Sequence, residues 1–487
     1  MTLPASGAIS FSQINTELIR GASATLSLND TSVRRLTQKL TPGSAVILPN
    51  DFWGKAANFV VELESLTGAQ AGDSTYGFAI CQDDNGNLFV TGSTRNFGTT
   101  FREHFYIAKF NSNGVLQWQR GLFTAQNDSG DAVVTNAAGD VYAAGTSNGV
   151  NSSFYEIFVV KYNASGVLQW QRRYGNATRS FGLRAITIDA SGNVYIAAQE
   201  LEPSPVSQYT LLLLKVDSSG NLVFARRYGN FSGGVGDGPT DMTIVNGNLY
   251  ICGFTTSGTR RNFVAKSDLS GNFLWLRRLD YGDSSNSFPY GMAVDASENI
   301  FVIGSRDAAG GYDIGTLVKL DSSGNVVWNK GFQQDFINTR GATVNFASDG
   351  NLFCTLNDEY NNGFVLQLNS SGGLIWQNYV YSAAGGVIFY SGVTNINNSP
   401  CLTGYFYATV PGSGYAVQAM LLVLPNNGTG AAVYGEITYG SPAAINVSSF
   451  SVTSVSFSLS TQTAGTTFVA SSMTEVVPTL VSTKYNI

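Results

Sequence analysis

The chain has 487 residues, of which 43% are hydrophobic, 12% aromatic and only 12% charged, with 54 glycines and a formal net charge of −6. This is too apolar and too aromatic for a disordered protein, and no run of about 18 apolar residues exists to form a membrane-spanning helix. The charge is small and of the wrong sign for a global attraction to nucleic acid. Residues Met1 to Gly7 hold no basic stretch followed by a long apolar one, so no secretory signal is expected.

Residues 1–57 have their own grammar. Ile9-Ser-Phe-Ser-Gln-Ile-Asn-Thr-Glu-Leu18 predicts a short helix capped by Ser10, with Gln13 completing a capping box and Ile9 stapled onto Ile14. A second helix is predicted near Asn29, with an apolar stripe of Val33, Leu36 and Leu40 and with Pro42 after its end. Asp51-Phe-Trp-Gly-Lys55 closes the segment. Two helices this short cannot bury their faces alone, so Ile9, Ile14, Leu18, Val33, Leu36, Leu40, Phe52 and Trp53 are the expected docking residues. The segment carries +2, leaving −8 for the rest of the chain.

The ordered motifs Leu3-Pro-x-Ser-Gly-x-Ile-Ser-x-x-Gln-Ile-Asn-Thr-Glu-Leu18, Ser27-Leu-Asn-Asp30, Val33-Arg and Asp51-Phe-Trp-Gly-Lys55 resemble a short module. That module opens many virion structural proteins of tailed bacteriophages, particularly tail, baseplate and fibre proteins. The resemblance implies a virion docking element that displays whatever follows it.

From residue 58 onward the chain repeats. One unit runs Gly77-Phe-Ala-Ile-Cys-Gln-Asp-Asp-Asn-Gly-Asn-Leu-Phe-Val-Thr-Gly92 and then Phe105-Tyr-Ile-Ala-Lys-Phe-Asn-Ser-Asn-Gly-Val-Leu-Gln-Trp-Gln-Arg120. The aromatic near the end of each unit recurs at Trp118, Trp170, Phe224, Trp275, Trp328 and Trp376, in steps of 52, 54, 51, 53 and 48 residues. Each unit holds four alternating runs rich in Val, Ile, Tyr, Phe and Trp, which read as strands. Asn-Gly and Ser-Gly turns join the first run to the second and the third to the fourth. Four-stranded antiparallel units of about 50 residues, repeated, predict a β-propeller.

Seven repeats are readable over 77–438, with 431–438 as the last fourth strand. Residues 58–66 read as a stray fourth strand, and 445–475 as three more. Together they predict an eighth, closing blade, favoured over seven blades with a tail. The domains expected are thus 1–57 for docking and 58–487 for the propeller. The repeats, Gly-Asn-(Leu/Val)-Tyr-Val-x-Gly followed by Lys-(Phe/Leu)-Asn-x-x-Gly-x-x-x-Trp, resemble bacterial and phage propeller repeats. This resemblance specifies fold and says little of function.

Chemistry is sparse. His104 is the only histidine, so any Ser-His-Asp or Cys-His arrangement would have to use it. Cys81, Cys252, Cys354 and Cys401 lie far apart in apolar runs and read as buried free thiols, suited to assembly in a reducing compartment. No phosphate loop or dinucleotide fingerprint is present, and no cofactor or metal is expected. Asp83, Asp84, Asp189, Asp295 and Asp349 at the first turns, and Asp217, Asp268 and Asp321 at the second, are read as turn-forming rather than cation-binding. Glu200, Glu202 and Glu359 read as solvated loop acids, although paired acids would be needed for glycoside hydrolysis on such a fold.

Short turns gather on one face and long connections on the other, at 94–104, 145–153, 199–208, 229–240, 304–312 and 404–415. Variable loops on a rigid scaffold are where binding usually resides. Phe97, Phe101, Tyr209 and Tyr312 are the candidates for stacking on sugars. Arg172, Arg173, Arg226 and Arg227, in a basic stripe along the fourth strands, are candidates for surface contact or for guarding a sheet edge. The expectation is a non-enzymatic virion protein of the tail, baseplate or fibre, assembled in the host cytoplasm and present in multiple copies. Its expected partners are other virion proteins and a host-surface glycan or receptor, without nucleic acid or membrane insertion. The alternatives are a virion-borne glycan-degrading enzyme and a head-attached decoration protein.

Overall fold

The computed structural model describes residues 74–424 apart from short connecting segments, together with the strand Phe59–Glu64 and a series of short strands between 432 and 486. The segment 1–57, with all eight expected docking residues, lies outside the described residues.

Seven antiparallel sheets repeat along the chain. Blade 2 is representative, with Asp128–Thr135 innermost, then Val141–Asn148, Tyr155–Tyr162 and Leu168–Gly175. The tight turns form from a five-residue pattern, Asp or Asn followed three residues later by Gly and then usually Asn. In Asp217-Ser-Ser-Gly-Asn221 the carboxylate accepts the backbone N–H groups of Ser219 and Asn221 at 2.9 and 2.8 Å and the Asn221 side-chain amide at 3.0 Å. Gly220 takes a φ of +85°, the left-handed conformation that closes the turn without cost to a Cβ.

The core is divided as a ring demands. Seven apolar clusters fill the seven gaps between adjacent blades, each drawing side chains from both neighbours. One of them joins Ile80, Leu88 and Val90 of blade 1 to Cys401, Ala419 and Leu421 of blade 7, so the ring is closed by packing.

The expectation of eight blades is not met; there are seven. Phe59–Glu64 is the fourth strand of blade 7, paired with Gly414–Val423. The runs after 437 do not build a blade. Instead they visit the fourth strand of every blade in turn, each adding a short antiparallel fifth strand. Ile437–Gly440 joins blade 6, Asn446–Ser448 blade 5, Thr453–Ser456 blade 4, Ser460–Thr463 blade 3, Thr467–Ala470 blade 2, Thr474–Val476 blade 1 and Val481–Asn486 blade 7. The seventh blade's fourth strand is therefore clasped between Gly414–Val423 and the last visit of this belt.

Twist explains the belt. Adjacent strands rotate by roughly 20–25°, so a fifth strand lies at about a right angle to the innermost one and runs along the circumference. Each fourth strand leads toward the next blade, so an antiparallel neighbour must run toward the previous one. This is why the belt counts the blades backwards. From Asn446 onward each visit begins seven residues after the last, and seven extended residues span about 23–25 Å. An apolar residue recurs in the sequence with the same period, at Ile445, Val452, Leu459, Met473, Leu480 and Ile487, with Thr466 at the one polar position.

One of the expected long loops, 404–415, is largely strand, and blade 4 lengthens the equivalent hairpin in the same way. Blade 7 extends its middle hairpin as Pro400–Val410 and Gly414–Val423, and blade 4 as Asn248–Ser257 and Thr259–Ser267. Blade 6 makes the corresponding link with a tight turn between Asp358 and Gly363, so Glu359 is a turn residue.

Candidate funnel on the long-connection face

Every innermost strand carries a β-bulge at the same place. The extra residue is Phe78 in blade 1, Asp131 in blade 2, Arg184 in blade 3, Thr240 in blade 4, Tyr290 in blade 5, Ala342 in blade 6 and Tyr390 in blade 7. A bulge bends its strand and re-aims one side chain. Here all seven line the axial cavity. In five blades the second strand places a glycine beside this bulge. A Cβ on Gly145 would lie 1.7 Å from the Ser129 carbonyl oxygen, and one on Gly92 1.7 Å from that of Tyr76. The recurrent glycine of the repeat is thus a matter of backbone approach; blades 3 and 6 hold Ala198 and Leu356 in its place.

The cavity has a volume of about 740 Å³ at its mouth on the long-connection face. Its deeper part, about 300 Å³, is lined by all seven innermost strands. The mouth reaches across blade 6, where the tight turn at 358–363 leaves its flank low.

Two aromatic groups border the mouth. At the seam of blades 7 and 1, Phe78 meets Tyr390 at 5.3 Å and Tyr76 at 5.7 Å, and Tyr405 meets Tyr76 and Tyr390 at 5.2 and 5.7 Å. At blades 4 and 5, the Arg260 guanidinium lies over both Phe254 and Phe288, at 4.9 and 3.9 Å, and Phe288 continues to Tyr290. Tyr390 and Tyr290 remain 44% and 41% exposed.

The polar side of the ring is Asp131 with Arg184. Asp131 accepts hydroxyl hydrogens from Ser129 and Thr146 at 2.8 and 2.9 Å. Burial pushes its carboxyl up to about 6 despite these bonds and the nearby Arg184. The Arg184 guanidinium donates to the Gln199 side-chain oxygen through Nε and Nη2, at 3.0 and 2.5 Å. Burial also raises Asp241 to about 6, although its two oxygens accept the backbone N–H groups of Met242 and Met292, each at 2.7 Å. That second bond crosses from blade 4 to blade 5. Ser391 accepts the Ile80 N–H at 3.3 Å in the same way across the seam.

The residues expected from sequence fall elsewhere. Tyr209 is exposed at the start of blade 3's third strand, and Tyr312 is half-buried just before that of blade 5; neither lines the cavity. Phe97 and Phe101 lie outside the described residues. The arginine stripe has internal partners. Arg172 donates from Nε to the Gly220 carbonyl, in the next blade's turn, at 2.9 Å, and Trp170 donates to Ser218 beside it at 3.1 Å. Arg226 reaches Asn272 of the following turn at 2.7 Å. Arg173 pairs with Glu156. Arg227 pairs at 2.7 Å with Glu200, which Arg179 also meets at 2.9 Å. Glu200 is 2% exposed and sits on the strand Val194–Leu201, so it is a buried ion-pair centre and not a solvated loop acid.

The sole histidine is buried, with Nδ1 3.9 Å from an Asp128 carboxylate oxygen. All four cysteines are free. Cys252, Cys354 and Cys401 are buried and Cys81 half-buried, and burial pushes each thiol up, away from thiolate. Among the described residues, no group of three or more His, Cys, Asp or Glu is placed to hold a metal ion.

The chain is a seven-bladed β-propeller with four-stranded antiparallel blades, each extended by the belt. No family model matches it, and no curated protein does. Among solved structures it is similar to the α-L-arabinofuranosidase Arb93A from Fusarium graminearum, at 11% identity and a TM-score of 0.41 over 75% of this chain and 98% of that one. It is also similar to Sqt1 from Chaetomium thermophilum, at 12% identity and 0.40 over 78% and 100%. A subtype N10 neuraminidase-like protein of A/little yellow-shouldered bat/Guatemala/060/2010 aligns at 9% identity and 0.38 over 75% and 99%. Likenesses this distant carry no argument about activity.

Proposed function

We propose that this chain is a non-enzymatic structural protein of a tailed-phage virion, docked through residues 1–57 and displaying its propeller for contact with the host surface or with other virion proteins. The observation that carries the reading is the run of ordered motifs from Leu3 to Lys55, which resembles the opening module of such proteins, joined to a closed ring. The ring's organisation is consistent with it. Short turns and the arginine stripe are spent on holding blades together, whereas the long-connection face carries the cavity and the exposed tyrosines. Several copies on one particle would turn weak contacts into firm attachment.

The test is the position of the protein in purified particles, read by mass spectrometry and by antibody against the propeller. Label at the tail end supports the reading. Label on the head keeps the virion role and moves its place. Absence from particles overturns it.

One observation favours a second reading, a glycan-degrading enzyme. Asp131 and Asp241 both line the axial cavity and both have carboxyls raised to about 6, the condition of a general acid. Against it, both oxygens of each are already accepting internal hydrogen bonds. Release of reducing ends from a host polysaccharide, abolished in Asp131→Asn, would establish the enzyme.

A further inference from the structure

We propose that the funnel mouth is a carbohydrate site that takes an uncharged hexopyranose unit, stacked on Tyr390 and Tyr290 and hydrogen-bonded from Arg184. The inference deepens the contact role given to the long-connection face and does not depend on the virion assignment.

The first support is that the ring keeps its backbone and changes its chemistry. All seven innermost strands bulge alike, and Ala342 satisfies the geometry with a methyl group. Packing therefore does not call for tyrosine at this position, yet Tyr290 and Tyr390 stand there with over two-fifths of their surface open. Exposed aromatic faces in a concave site are a surface seeking a flat, partly apolar partner. The C–H face of a pyranose is such a partner. A rigid ring offers it at little entropic cost, because the strands and the neighbouring rings of Phe78 and Tyr405 already hold Tyr390 in place.

The second support is the charge balance of the mouth, which selects an uncharged sugar. Arg340 lines the cavity but pairs with Asp313 at 2.7 Å. Asp358 is spent on the N–H groups of its own turn, and Glu359 accepts the Asn338 amide at 2.6 Å. What remains as a free donor is Arg184, whose charge Asp131 balances, while the Asp358 and Glu359 carboxylates leave the mouth without a surplus of positive charge. Arg184 leaves Nη1 without a partner among the described residues, and a guanidinium group is suited to vicinal sugar hydroxyls. A polyanion would find no net positive field here. The volume of about 740 Å³ is in the range that encloses small ligands and would hold a short oligosaccharide.

The experiment is saturation-transfer NMR on the full purified chain. The probes are glucose, galactose and mannose, neutral oligomers of each, and oligogalacturonate as an anionic control. The expected result is transfer to at least one neutral probe, lost in Tyr390→Ala, weakened about tenfold or more in Arg184→Ala and kept in Tyr390→Phe, which retains the ring. Tyr290→Ala is the second variant should Tyr390→Ala fail to fold. Equal affinity for monosaccharide and oligomer would name a free sugar as the source, and tighter binding of the oligomer a polysaccharide; both support the site. No transfer to any neutral probe, undiminished binding in both alanine variants, or preference for the anionic control would overturn it. A protein found in particles that fails here leaves the virion reading standing and ends only this one.

Discussion

Tyr390 and Phe78 stand with ring centroids 5.3 Å apart, one on the last blade's innermost strand and the other on the first blade's. They are 312 residues apart in sequence, and their contact marks the seam of the ring. Behind them the seam is held by the cluster around Cys401 and Ile80. At the rim it is held by Phe59–Glu64, laid between the seventh blade and the end of the belt. Cavity and closure therefore share Phe78, Ile80 and Tyr390.

The belt covers edges that would otherwise be open. Removing residues 441–487 leaves the fourth strand of most blades with unpaired N–H and C=O groups, a template for adding foreign strands. The blades keep their clusters, so we expect the truncated chain to fold but to self-associate and to melt at a lower temperature. Size-exclusion chromatography and thermal unfolding check this. A truncated chain that stays monomeric with an unchanged melting point would show that the belt contributes nothing to the edge.

Gly145 and Gly182 form a matched pair. A Cβ on Gly145 would meet backbone at 1.7 Å, whereas one on Gly182, in the neighbouring blade, would meet nothing within 4 Å. Gly145→Ala should cost about 1–3 kcal/mol or more, as overpacking against a fixed backbone does. Gly182→Ala should be close to neutral. Urea unfolding of both variants decides it, and equal losses would mean that the bulge yields easily.

Glu200 is a buried acid on which folding depends. It lies between Arg227 and Arg179, and removing it strands a buried guanidinium. Glu200→Ala should cost on the order of 3–5 kcal/mol. The Arg95–Glu103 pair is 45% and 31% exposed, and losing it should cost under about 1 kcal/mol. A similar, small loss in both variants would place Glu200 in a far wetter setting than its burial indicates.

The blades were readable because their turns are chemical. Asp217-Ser-Ser-Gly-Asn221 and its counterparts announce a hairpin through one carboxylate, one glycine and one asparagine. The belt was legible as strand but not as a belt, because visits of three to six residues carry no turn signal that separates them from the strands of one blade. Its signal is the seven-residue period of Ile445, Val452, Leu459, Met473, Leu480 and Ile487, broken only at Thr466. Without it, residues 445–475 look like strands of a further blade. The funnel aromatics escaped for a related reason. A bulge inserts one residue into an alternating strand, so a period of two read through Gly77-Phe78-Ala79 assigns Phe78 to the wrong face. Aligning the repeats on that column would have exposed Tyr290 and Tyr390. Tyr209 was chosen for lying beside a long connection, and it is exposed there, but the deeper cavity is built from the innermost strands.

Asp131 also makes the fold pH-sensitive in an unusual direction. Its carboxyl rises from 3.8 to about 6 in the folded protein, as does that of Asp241. The folded state therefore holds these protons more tightly than the unfolded chain. The resulting stability is fully present below about pH 4 and is lost as the pH climbs through 6. Two pH units correspond to about 3 kcal/mol as an upper figure, and less for Asp131 and Asp241 alike because each is only half-buried. Asp217, Asp268 and Asp321 act oppositely, their carboxyls being held below the usual value by donors of their own turns, so their contribution lies at more acid pH than this window. Ser129 and Thr146 hydroxyls can turn to meet an amide, so Asp131→Asn should fold. Its denaturation midpoint should match that of the natural chain at pH 4, exceed it at pH 7 and fall less between them. Midpoints measured at pH 4, 5, 6 and 7 test this, and parallel curves for the two proteins would show that the Asp131 carboxyl is solvated in the funnel.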